Sequence, residues 1–214
     1  HRVMLSTILL IRHGAVDSPL SLEGPLIYGP EQPLNFQGKH QIIRLGQSLK
    51  DERVVPDVIY TSPFTRAIQS AELLRETLPN NPPIIIREAL SGSYAPQWNL
   101  RPESEAQGIK DLFADNPKLP DVHGESMKDA YTRVVREFQA LKTSHPDQTI
   151  AIVTHFEIIG LLRHYMKTRD SNASMDDAIE KGEGLLYRLS KEETILEERK
   201  ISPEQQRHHP ERHG

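Results

Sequence analysis

Four consecutive branched aliphatic residues, Ile8-Leu9-Leu10-Ile11, run without a break into Arg12-His13-Gly14. A strand alternates its side chains between two faces, so a run that is apolar at every position has no face to offer to water. Such a strand belongs inside a sheet that is covered on both sides. Three more short apolar runs follow: Val58-Ile59-Tyr60, Ile84-Ile85-Ile86 and residues 150–153. Helical spacing lies between and after them. Phe36, Ile42, Ile43, Leu45 and Leu49 fall near one stripe, and Phe64, Ala67, Ile68, Ala71, Leu74 and Leu78 recur at i, i+3, i+4, i+7. Met127, Ala130, Tyr131, Val134, Val135, Phe138 and Leu141 form the strongest amphipathic pattern, and Ile158, Leu161, Leu162, Tyr165 and Met166 mark a further helix. Strand and helix in alternation predict an α/β fold. Its central sheet is mostly parallel, with helices on both faces, in a three-layer sandwich.

The punctuation agrees. Asn35 is placed to cap the first helix, and Ser62-Pro63 reads as an N-cap followed by a first-turn proline. Ser126 with Asp129 reads as a capping box, and His145-Pro146 ends the long helix. Residues 18–33 read as a loop rich in proline and glycine. A weaker helix is expected over 103–114, and a terminal hairpin is expected around Lys191-Glu192. The organisation predicted is one domain over 4–200 and a polar tail over 201–214 that carries His208-His209.

Composition removes several chemistries. There is no cysteine, so disulfides, thiolate metal sites, iron–sulfur clusters and thiol catalysis are excluded. No apolar run approaches the ~18 residues of a membrane span. The stretch before Arg12 is broken by Ser6 and Thr7, which fits a strand better than a leader peptide. A formal net charge of −4 argues against a dedicated nucleic-acid binder. A cytoplasmic protein acting on a small molecule, with no nucleic-acid or membrane partner, is expected; the oligomeric state is left open.

In open α/β sheets, ligands bind beyond the carboxyl ends of the strands. The residues that follow each predicted strand are Arg12-His13-Gly14, then Thr61-Ser62-Pro63 with Arg66 close behind, then Arg87-Glu88, then Thr154-His155. Two histidines, two or three arginines and a carboxylic acid thus converge on one edge. Guanidinium forks suit a tetrahedral oxyanion. One imidazole is a candidate nucleophile, the other a donor to the same oxygens, and the carboxyl a proton source. The set suits a phosphoryl group.

These residues resemble the histidine phosphatase superfamily, in its phosphoglycerate-mutase-like branch. The resemblance rests on Leu10-Ile11-Arg12-His13-Gly14, on Pro33-Leu34-Asn35 with Gly38 and Gln41, and on Thr61-Ser62-Pro63-Phe64-Thr65-Arg66-Ala67 with Gln69 and Ala71. Glu88 with Gly92, Gly124-Glu125-Ser126 and Val153-Thr154-His155 complete it, in order, over residues 7–190. The resemblance implies a phosphoglycerate-mutase-like fold and a phosphohistidine formed on His13. It implies a phosphate pocket of Arg12, Arg66 and His155, with Glu88 as the acid that protonates the leaving oxygen. It implies no metal and no cofactor.

The chain departs from the family pattern in three places. Ala15-Val16-Asp17-Ser18-Pro19 lacks the Glu or Gln and the Asn that usually follow Arg-His-Gly. Phe156 stands where glycine usually follows the second histidine, and Ser93-Tyr94-Ala95-Pro96 replaces a Trp-Glu-Gly-like segment. The leading expectation is a metal-independent phosphomonoesterase acting on a small phosphorylated substrate. A phosphoglycerate-type mutase and a catalytically silent phosphate-binding protein are the alternatives. Ser62 is expected to be a cap rather than a ligand contact. Tyr94, Trp98 and Phe156 are candidates for the leaving-group side, and His123 for the rim.

Overall fold

The computed structural model of the chain describes residues 5–107 and 125–203. The end of the expected 103–114 helix, His123, Gly124 and the tail beyond residue 203, with His208 and His209, lie outside the described residues.

In chain order the strands are β1 (Ser6–Arg12), the short β2 (Leu20–Ser21) and β3 (Gly24–Pro25), then β4 (Val58–Thr61), β5 (Ile84–Ile86), β6 (Thr149–Thr154), β7 (Gly184–Leu189) and β8 (Ile195–Ile201). The helices are α1 (Phe36–Asp51), α2 (Thr65–Thr77), α3 (Met127–Ser144) and α4 (Phe156–Thr168). Six strands make one sheet in the order β5-β4-β6-β1-β7-β8. β5, β4, β6 and β1 run parallel, whereas β7 pairs antiparallel to β1, and β8 to β7.

The alternation in β1 divides the core. Ile8 and Leu10 pack with Val134 and Phe138 of α3 and with Ile158 and Leu162 of α4. Leu9 and Ile11 face the other way, onto Ile42, Leu45 and Leu49 of α1 and Ala67, Ala71 and Leu74 of α2. All four β1 residues are fully buried. At about 1.5–3 kcal/mol each, their burial is comparable to the net stability of a typical domain, which fixes where Arg12 and His13 emerge. The predicted three-layer, mostly parallel α/β sandwich is the observed fold.

The caps hold at two of three places. Asn35 Oδ1 accepts the N–H of Gly38 at 2.8 Å, and Ser126 Oγ accepts that of Asp129 at 3.0 Å. Ser62 does not cap α2, which starts three residues later. Its Oγ instead accepts the N–H of Phe64 at 3.2 Å and turns toward the site described next. The β2–β3 hairpin, at two residues per strand, is too short to carry a periodic signal.

Candidate active site

The carboxyl ends of β1, β6 and β4 lie side by side, and each delivers one part of a single site. His13 follows β1, and its N–H donates to the Thr154 carbonyl of β6 at 3.2 Å. The chain behind it is held by backbone approach. A Cβ on Gly14 would stand 2.4 Å from the Gly38 carbonyl oxygen, and one on Gly38 would stand 2.1 Å from that of Ala15. Only a glycine pair lets the first turn of α1 press this close. The N–H of Gly14 donates to Ser70 Oγ at 3.1 Å, and the Ser70 hydroxyl donates to the Arg66 carbonyl at 2.7 Å. Gln41 Oε1 accepts the N–H of Ala15 at 2.9 Å. The loop that carries His13 is thereby fastened to both α1 and α2.

Two contacts fix the tautomer of His13. Its Nδ1 lies 2.8 Å from the Gly14 carbonyl, which can only accept, so Nδ1 carries the proton. The Nε–H of Arg66 points at Nε2 from 3.3 Å, and a guanidinium can only donate, so Nε2 presents its lone pair. Burial, with the Arg66 charge second, lowers the His13 pKa from 6.5 to about 3. The ring is therefore neutral at physiological pH, with a nucleophilic nitrogen turned into the pocket.

Arg66 lies in the first turn of α2. Its Nη1 donates to the Gly29 carbonyl at 3.1 Å, and its guanidinium faces the rings of Tyr28 and Phe64 at 5.2 and 5.0 Å. Arg12 donates to the Ile179 carbonyl at 3.0 Å and lies over the Phe156 ring at 5.0 Å. The bulky residue at position 156 thus supports Arg12. Gly182, at φ +76°, bends the chain so that its N–H reaches the carbonyls of Arg12 and His13. Burial lowers the pKa of both guanidiniums, yet they start far enough above neutrality to stay cationic.

His155 occupies the N-cap position of α4. Its Nε2 is 2.8 Å from Ser62 Oγ, and His155 lines the cavity. Its ring centre is 5.2 Å from that of His13. Near-complete burial, and then the neighbouring His13, hold its pKa well below the ordinary imidazole value. The buried site thus combines neutral imidazoles with fixed cations, the electrostatic arrangement for a dianionic guest.

Arg12, His13, Arg66 and His155 line one cavity of about 410 Å³. Glu88 does not join them. Arg87 is drawn toward the Tyr60 ring and Glu137, and Leu90 is fully buried, so the 3-10 turn Glu88–Leu90 leaves Glu88 exposed and outside the cavity lining. Tyr94 and Phe156 line the cavity as expected; Trp98 does not, and it stacks instead under Arg101 at 4.5 Å. The lining also holds Tyr28, Glu103, Glu157 and Lys181, none of which the motifs single out. Glu157 carried one usable signal, its place two residues after His155. Lys181 and Tyr28 come from loops with no pattern of their own.

The family model of the histidine phosphatase superfamily (branch 1) matches residues 8–185. A 5''-phosphoribostamycin phosphatase of Niallia circulans is 31% identical over 160 residues, which cover 69% of this chain and 72% of that protein. A 2,3-bisphosphoglycerate-dependent phosphoglycerate mutase of Bartonella henselae is 23% identical, covering 94% of this chain and all of that one. The crystal structure of the alpha-ribazole phosphatase of Shigella flexneri superposes with a TM-score of 0.71 at 21% identity, covering 92% of this chain and 96% of that one.

Proposed function

The chain belongs to the histidine phosphatase superfamily, and from that premise we propose that it is a metal-independent phosphomonoesterase that passes the phosphoryl group of a small substrate through His13. One observation carries the reading. His13 is a neutral imidazole whose Nδ1–H is anchored on the Gly14 carbonyl and whose Nε2 lone pair faces the cavity beside Arg66.

The proposed chemistry follows from that state. Nε2 attacks phosphorus with no proton to shed first, and the positive charge that develops on the ring is met at Nδ1–H by the Gly14 carbonyl. Arg12 and Arg66 neutralise the non-bridging oxygens, and the neutral His155 donates a hydrogen bond to them, which is the largest share of the work in phosphoryl transfer. Water then cleaves the phosphohistidine and releases inorganic phosphate. The guanidiniums provide the positive charge that a metal ion gives other phosphatases. The hydroxyl-bearing residues Ser18, Tyr28 and Tyr94 in the cavity lining, with the likeness to a phosphatase named for a phosphorylated aminoglycoside, support a polar, hydroxyl-rich leaving group.

The first test is hydrolysis of p-nitrophenyl phosphate with and without a chelator. The reading expects turnover that the chelator leaves unchanged and that His13→Ala abolishes. A mutase is the second reading, favoured by one observation: Lys181 adds a third cation to the cavity, where a second anionic group could be held. Isomerisation of 3-phosphoglycerate in the presence of its bisphosphate, at rates well above phosphate release, is the result that favours it.

A further inference from the structure

With Glu88 outside the cavity, the leaving oxygen needs another proton donor. Two carboxylates line the cavity, Glu103 and Glu157. They are placed differently. Glu157 is the second residue of α4, two positions after His155, and its Oε1 accepts the N–H of Ser93 at 3.0 Å. That contact fixes one oxygen and leaves Oε2 for a second partner. The packing around it is tight. A Cβ on Gly92 would lie 2.9 Å from Glu157 Oε1 and 3.0 Å from Cγ of His155. Glycine at 92 is therefore what lets the Glu157 carboxyl and the His155 ring share one stretch of backbone. The segment is itself braced, because Arg133 donates to the carbonyls of Ala89 and Ser91 at 2.7 and 3.0 Å, and Ser93 Oγ donates to Glu125 at 3.0 Å. Glu125, paired with both Ser93 and Arg133, is committed to this bracing and does not line the cavity.

The electrostatic surroundings separate the two candidates further. The charge of Glu157 acts on Arg12, Arg66 and Tyr28 together. That of Glu103 acts on Tyr28 and Lys181 and is not among the causes acting on Arg12 or Arg66.

We propose that Glu157, held by the Ser93 N–H beside His155, is the proton-transfer residue of this site in place of Glu88. The role rests on the phosphomonoesterase reading above. In the first half-reaction the Nε2–P bond forms as the P–O bond to the leaving group breaks. The electron pair of that bond stays on oxygen and takes the proton of the Glu157 carboxyl, giving a free alcohol and a carboxylate. In the second, a water oxygen bonds to phosphorus as the N–P bond breaks. The proton lost by water returns to Glu157, and inorganic phosphate leaves.

The experiment compares wild type, Glu157→Gln, Glu88→Gln and Glu103→Gln on aryl phosphates from p-nitrophenyl to phenyl phosphate and on an alkyl phosphate. kcat/KM reports the first half-reaction alone. For Glu157→Gln it should fall by about 100-fold or more on phenyl and alkyl phosphate and by less than about tenfold on p-nitrophenyl phosphate, whose leaving group needs little protonation. The same variant should accumulate phosphohistidine, because the second half-reaction loses its base. Glu88→Gln should parallel wild type, and any change in Glu103→Gln should be the same on every ester, with no dependence on the leaving group. An equal loss on every substrate in Glu157→Gln, or a leaving-group-dependent loss in Glu88→Gln or Glu103→Gln, overturns the role of Glu157 while the phosphatase reading stands. A wild-type chain that hydrolyses none of these esters overturns both.

Discussion

The Nε–H of Arg66 is directed at Nε2 of His13 across 3.3 Å. In the proposed mechanism, the nitrogen that attacks phosphorus is therefore held by a cation that also binds the phosphoryl oxygens. When a phosphate enters, this donor has only to move from nitrogen to oxygen. Lysine keeps the charge but has neither the Nε–H at this position nor the fork. Arg66→Lys should lower kcat/KM for p-nitrophenyl phosphate by about 10²–10³-fold, the usual cost of one aimed donor in such a site. Circular dichroism at equal concentration should show the fold intact.

Ser70 ties the loop of His13 to the helix that carries Arg66, accepting from Gly14 and donating to the Arg66 carbonyl. Ser70→Ala leaves a buried N–H without a partner. Urea unfolding should show a loss of about 1–3 kcal/mol, and kcat should fall because His13 and Arg66 are no longer held in register.

The pH dependence of stability follows from His13. Its pKa falls from 6.5 to about 3 on folding, first through burial and then through the Arg66 charge. Below pH 6.5 the unfolded chain takes up a proton that the native site refuses until about pH 3. Stability from this group is thus complete above 6.5 and declines as the pH drops toward 3. Urea titrations between about pH 7 and pH 5 should show falling stability, and His13→Asn should reduce the slope, with His155, also held neutral by burial, carrying part of what remains. In nitrogen-15 spectra, the His13 ring should stay in its neutral Nδ1–H form at about pH 5.

The legibility of this site tracks where each residue sits. Arg12, His13 and His155 follow runs of buried aliphatics, whose burial forces strands and whose strand ends define the ligand edge, so sequence alone locates them. Arg66 is reached the same way, one turn into a helix of clear period. Glu88 also follows a strand, but a 3-10 turn of three residues carries no periodic signal for which side chain faces inward. There the burial of Leu90 decides the orientation and leaves Glu88 exposed. Serine before proline reads as a cap, whereas at Ser62 tertiary contact with His155 takes the hydroxyl. Lys181 and Tyr28 reach the cavity through long-range packing that no local pattern encodes.

Phe156 offers a test of how the site holds Arg12. The guanidinium lies over its ring at 5.0 Å, an interaction of about 0.5–2 kcal/mol. Phe156→Leu keeps apolar bulk and removes the ring. The inhibition constant of vanadate, a mimic of the trigonal-bipyramidal state, should rise by about 2- to 10-fold, with the leaving-group dependence of kcat/KM unchanged.

Rapid-quench labelling shows whether the phosphoryl group rests covalently on His13 during turnover. Wild-type protein mixed with an isotopically labelled phosphomonoester, quenched in base and mapped by mass spectrometry, should carry one acid-labile phosphate on the ring of His13. His13→Ala should carry none and should release no phosphate. Label on another residue, or steady turnover by wild type with no phosphoenzyme at any quench time, would contradict a phosphohistidine at His13.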